Sequence, residues 1–146
     1  MDVLCLVLQL ASTWSMVGLI WLIQIVHYPL FGRVGAEQFP VYASEHQRLI
    51  TYVVLPLMFA ELISALWLWS SRPAEISNGL VVAGIVLVVV IWASTFLVQV
   101  PQHEALLSEF NADIHRKLVA GNWIRTIAWT ARGLLVSYMT WVALQR

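Results

Sequence analysis

Four stretches of this chain, over residues of about 3–27, 49–69, 80–100 and 118–141, are long and overwhelmingly apolar. A bilayer core takes about 20 apolar residues per helix. No other feature of the sequence narrows the possible folds as far. Backbone without access to water must bond to itself, so an uninterrupted apolar run becomes a helix, even where Val and Ile abound as in the third run. We therefore expect an all-α, polytopic membrane protein: one four-transmembrane-helix bundle spanning residues 1–146, with two interfacial loop segments.

Composition agrees. The chain is 60% hydrophobic and 11% charged, against about 25% charged residues in an ordinary soluble domain. Eight basic residues balance eight acidic ones, so no field for nucleic acid is expected. A single cysteine, Cys5, excludes an internal disulfide. Several of the eight tryptophans fall toward the ends of apolar runs, where an interfacial belt places them. The first run is too long for a signal-peptide core, and its MDVL start is acidic rather than basic. We read it as a spanning helix.

Punctuation sets the expected boundaries. Pro29 is expected to end the first span, because the residue before a proline is pushed out of the helical region. A polar stretch, Leu30 to Arg48, follows, with a short helix through Tyr42 to Arg48 leading into the second span. Pro56 falls inside that span and predicts a kink. Ser70 to Gly79 form a hairpin, and Pro101 closes the third span. Gln102 to Lys117 set Leu106, Leu107, Phe110 and Ile114 against charged neighbours, which predicts an amphipathic interfacial helix. Arg33, Arg48, Arg116 and Lys117 then lie on one side, and Arg72 and Arg146 on the other. The positive-inside rule gives a multi-pass cell-membrane protein with cytoplasmic long loops.

This topology gathers the polar residues. Helices one and three end where helices two and four begin, so His27, His46, His103, Asn122 and Arg125 share one membrane face. Gln24 and His27, like Gln99 and His103, are spaced to share a helix face. Trp92 and Thr95 extend the stripe on the third helix. Asn122, Arg125, Trp129 and Arg132 recur at helical spacing on the fourth. Two arginines in an apolar segment are costly, about 2.5–3.5 kcal/mol each at mid-membrane. Candidate catalytic residues are His46, Arg125 and Asn122. Gln24, Gln99, Trp92, Trp129, Glu61 and Arg132 are candidate substrate contacts, and Glu61 with Arg132 equally suits a structural ion pair. His27, His46 and His103 are candidate metal ligands, since neutral imidazole suits Fe, Cu or Zn; the cofactor is open between such a metal and none. A lone histidine at a helix end is ordinarily interfacial, and His115, beside Arg116 and Lys117, reads as a solvated loop residue. The order Gln24, His27, Pro29 on the first run is echoed by Gln99, Pro101, His103 on the third, a faint internal repeat.

The HYPLF turn (His27 to Phe31), a His-led second span, Pro101 with Leu106, and NWIRTIAW from Asn122 to Trp129 together resemble the anthrone-oxygenase-like family of small four-helix membrane proteins. The specific part is Asn122, Arg125, Thr126 and Trp129, with Pro101. His103 departs from the pattern, where asparagine is commoner. The resemblance implies four membrane helices and oxidation of a tricyclic anthrone to a quinone without an organic cofactor. The expected function is thus a membrane-embedded, oxygenase-like oxidoreductase acting on a lipophilic aromatic molecule, metal-assisted or not. The alternatives are a haem- or metal-binding membrane protein and a subunit of a small-solute or proton transporter. Gly79 and Ala83 offer a small-xxx-small contact for a homo-oligomer.

Overall fold

The structure, a computed structural model, describes residues 2–145, with side chains from residue 4 onward. Helix α1 comprises Asp2–Leu22, a π turn at Ile23–His27 and a last turn at Tyr28–Phe31. Helix α2 is Phe39–Ser70. Helix α3 comprises Asn78–Ser94, a second π turn at Thr95–Gln99, and Val100–Ala105. Helix α4 is Ala112–Ala143. The described residues contain no strand. α1 lies against α2 and α4, and α3 packs against the same two. Leu4–Phe31, Phe39–Ser70 and Asn78–Ala105 are long and apolar enough to cross a membrane. α4 falls outside that set; it carries Asp113, Arg116, Lys117, Arg125 and Arg132.

Neither Pro29 nor Pro101 ends its helix, contrary to expectation. Each follows a π turn, in which Tyr28 N–H bonds back to Ile23 O and Val100 N–H to Thr95 O. A proline ring clashes with the carbonyl four residues earlier. Those carbonyls belong to Ile25 and Leu97, inside the wider π turns, so the helices continue past both prolines. The expected interfacial helix over Gln102 to Lys117 is likewise absent as a separate element. Its first residues finish α3, its last ones open α4, and the connection is residues 106–111. Asn111 sets the start of α4, its Oδ1 accepting from the N–H groups of Asp113 and Ile114 at 3.0 Å each. α2 starts earlier than expected, at Phe39, with Pro40 in its first turn, where a missing N–H costs nothing. It passes uninterrupted through Pro56.

The burial pattern is inverted relative to a water-soluble bundle. Leu4, Leu22, Ile25, Ile63, Leu97, Ile127 and Leu134 point outward, while Gln9, Thr13, Gln24, Glu61, Gln99, Asn122, Arg125 and Arg132 are buried. Inside, apolar and polar layers alternate. Cys5, Leu6, Leu68, Val81, Val136 and Met139 form one apolar layer at the end holding the chain termini. Met16, Ile20, Met58, Ile91 and Trp129 form the central one. Ile23, Tyr28, Phe31, Phe39, Leu106 and Leu118 close the end that holds both remaining loops.

Gly121 allows α3 and α4 to meet closely beside the second π turn. A Cβ there would lie 3.0 Å from Val98 Cγ1 and 3.2 Å from Gln99 Nε2. Gly121→Val is expected to lose about 1–3 kcal/mol through overpacking. The check is the thermal midpoint in detergent; an unchanged midpoint would contradict this packing.

Candidate functional site

Two polar layers separate the three apolar ones. The layer nearer the termini is centred on Glu61. Its Oε1 accepts from Thr13 Oγ1 at 2.7 Å and from Arg132 Nε at 3.2 Å, and its Oε2 accepts from Trp129 Nε1 at 2.8 Å. Arg132 Nη1 donates to Gly84 O at 2.7 Å, a carbonyl reachable because Gly84 has no side chain in the way. Glu61 and Arg132 thus form a buried ion pair. Neither lines the bundle's ligand-sized cavity. Their expected contact with substrate, or with a solute path, therefore gains no support from this geometry.

The second layer is built from the two π turns and the first half of α4. Gln24 Oε1 accepts from Asn122 Nδ2 at 2.8 Å. Asn122 Oδ1 accepts from Arg125 through Nε at 2.9 Å and Nη2 at 2.5 Å. Arg125 Nη2 also reaches Gln99 Oε1 at 3.2 Å and Tyr28 Oη at 3.3 Å. Tyr28 Oη lies 2.9 Å from His103 Nε2 and 3.4 Å from Gln99 Oε1. With Arg125 donating to the phenol oxygen, the phenol proton is left for the closer acceptor, which assigns it to His103 Nε2. An Arg125–Tyr28–His103 chain results. Trp129 links the layers: its N–H binds Glu61 while its ring lies 6.0 Å from Arg125 Cζ.

The histidines of three helices meet beside this chain. His27 and His46 stack with centroids 4.2 Å apart and planes 26° apart, and His46 and His103 lie 5.8 Å apart at 34°. A ligating nitrogen presents its lone pair in the plane of its ring. Stacked rings direct those lone pairs side by side rather than at one point. Among the described residues no group of three His, Cys, Asp or Glu is arranged to hold a metal ion. The expected set of His27, His46 and His103 therefore does not form a metal centre in this geometry. His27 Nε2 is buried without a hydrogen-bond partner among the described residues. His115 is not the solvated loop residue expected: its Nε2 bonds Tyr28 O at 2.8 Å, and its ring packs on Phe31 and Phe110.

A cavity of about 180 Å³ opens from this chain toward the space between α2 and α3. Arg125, Tyr28, Gln99, His103 and His46 supply its polar wall, and Met16, Ile20, Met58 and Trp129 its apolar depth. Its most exposed lining residues, Thr51, Leu55 and Phe96, come from α2 and α3. The mouth therefore faces sideways, at a level where the outer surface is apolar. A cavity of about 150 Å³ lined by aliphatic and aromatic groups holds benzene, so this one suits a single-ring body.

Of the candidate residues, His46, His103, Gln99, Arg125 and Trp129 line the cavity. Asn122 and Gln24 stand one shell behind, holding Arg125. Trp92 lies away from it, packed on Phe59 and Phe96. Sequence reasoning missed Tyr28. A regular helix sets Gln24 and His27 on one face, but a π turn bonds i to i+5 and brings Tyr28 round instead. The signal was available in Pro29, whose position calls for a widened turn if the helix continues.

The fold and site define an all-helical bundle in which a buried arginine–tyrosine–histidine chain closes a laterally opening, ring-sized cavity. Comparison with family models, with curated proteins and with solved structures finds no match to this chain.

Proposed function

We propose that this is a multi-pass membrane protein that oxidises a small lipophilic ring compound with dioxygen, in the manner its resemblance to the anthrone-oxygenase-like family implies. The inverted burial supports the membrane setting: water-soluble monomers seldom expose large contiguous apolar surfaces. α4 is the fourth span, with Arg125 and Arg132 turned inward and Trp123, Ile124, Ile127, Leu134 and Trp141 outward. The count of Lys and Arg favours cytoplasmic ends at the connections of residues 32–38 and 106–111. The single observation carrying the reading is the placement of the Arg125–Tyr28–His103 chain against an apolar, sideways-opening cavity.

In this reading a ring ketone with an acidic methylene enters from the bilayer. Tyr28 takes a proton from that carbon while passing its own to His103, which thus serves as the general base. The charge that develops on the ketone oxygen is stabilised by Arg125, a preset donor of the oxyanion-hole kind. Dioxygen then adds to the electron-rich carbon. The peroxide regains the first proton and loses water, leaving a second carbonyl. In balance, one methylene and one dioxygen give one carbonyl and one water. Four electrons pass from carbon to oxygen, and no outside reductant is needed. Asn122 and Gln24 position Arg125.

The test is oxygen uptake by the purified protein in detergent with anthrone and with smaller benzylic ketones. One dioxygen per carbonyl formed is expected, with His103→Phe slowed by about 10²–10⁴-fold. Uptake equal in the native protein and the His103 variant would sink the assignment.

A further inference from the structure

Three charged side chains are buried among the described residues: Glu61, Arg125 and Arg132. Glu61 and Arg132 neutralise each other. Arg125 forms no ion pair with any described residue. Its hydrogen-bond partners, Asn122, Gln99 and Tyr28, are neutral groups, and the Trp129 ring at 6.0 Å supplies only a partial counter-charge. Arg125 lines the cavity while only 7% exposed, and its Nη1 has no hydrogen-bond partner among the described residues. A buried ion without a counter-ion is strongly unfavourable. A bundle that neutralises Arg132 with a carboxylate of its own leaves Arg125 for a charge from elsewhere. A guanidinium fork recognises oxyanions in particular.

We propose that the cavity takes its ligand as a monoanionic lipophile, a single-ring body bearing one carboxylate or phenolate oxyanion set against Arg125. The ring lies among Met16, Met58 and Trp129, and any tail leaves between Leu55 and Phe96. This rests on the cavity being the ligand site, as in the reading above, but not on any oxidation there. It adds to the ketones of that reading a second ligand class, acids already ionised when they bind.

The experiment is fluorine NMR titration of the detergent-solubilised full chain with 4-(trifluoromethyl)benzoate and with the uncharged isostere 4-(trifluoromethyl)benzamide, each corrected for partition into empty micelles. The benzoate is expected to bind about 10- to 100-fold more tightly, the effect of a hydrogen bond to a charged group. 4-(Trifluoromethyl)phenol is expected to tighten as it ionises, and failure to tighten would remove phenolates from the proposal. Arg125→Lys should keep the preference and Arg125→Gln should abolish it. Benzamide binding equal to benzoate, no binding of either, or a preference surviving in Arg125→Gln would overturn the proposal. If Arg125→Gln does not fold, the benzoate–benzamide comparison on the native chain decides alone. Anion preference without oxygen uptake would leave this inference standing and remove the oxidase reading; uptake with neutral ketones and no preference would do the reverse.

Discussion

Glu61→Ala is expected to destabilise the bundle by about 3–5 kcal/mol, the cost of stripping one partner from a buried ion pair. The carboxylate serves Thr13 on α1 and both Trp129 and Arg132 on α4. Its loss leaves Arg132, fully buried, with Gly84 O as its one acceptor among the described residues. Arg132 Nη2 already lacks a partner among them. Glu61→Gln keeps an acceptor but removes the charge, and should fall between the two. Removing both charges, as in Glu61→Leu with Arg132→Met, should cost less than Glu61→Ala alone, because no unpaired charge remains. Reversible unfolding in mixed micelles measures all of these. A single substitution costing under about 1 kcal/mol would show that the pair does not carry the weight its burial implies.

Arg125→Gln is expected to lower turnover by about 10²–10³-fold, the effect of deleting one preset donor from an oxyanion site. Stability should change far less than in Glu61→Ala, because Arg125 is not half of an ion pair. Glutamine can still reach Asn122 or Gln99 and removes an uncompensated charge. The contrast between the two arginines is itself the check: Arg132 substitutions should act on folding, Arg125 substitutions on kcat. Asn122→Ala should act in the same direction as Arg125→Gln, more weakly, since Asn122 orients the guanidinium through Nε and Nη2. Equal turnover by Arg125→Gln and the native chain would refute the role given to Arg125.

Much of the architecture was legible because two simple signals suffice for it. Apolar runs of about twenty residues fix the helices, and their alternation brings His27, His46 and His103 to one end. The Glu61–Arg132 pair followed from depth alone. What was not legible depended on local backbone. The π turns are invisible to a fixed 3.6-residue period, so Tyr28 went unseen and helix ends were set too early at Pro29 and Pro101. The loop between α3 and α4 was drawn too long, because amphipathic spacing over Gln102 to Lys117 looks the same whether it forms one helix or the ends of two. Trp92 falls with Thr95 by spacing, yet its ring packs on Phe59 and Phe96 rather than lining the cavity. The metal set gains no support from the ring orientations: sequence can bring three imidazoles together but says nothing of how their planes turn.

The alternation of apolar and polar strata has a consequence for how the helices find their alignment. In hydrocarbon, one aliphatic contact is nearly as good as another, because lipid tails are as apolar as Leu. Sliding one helix along its neighbour by a turn would hardly change the apolar contacts. The same slip would set Arg132 against methylenes and strand Glu61, a penalty no alternative offset escapes. The two polar strata thus act as a pair of notches at different depths, and only one vertical setting of the helices engages both.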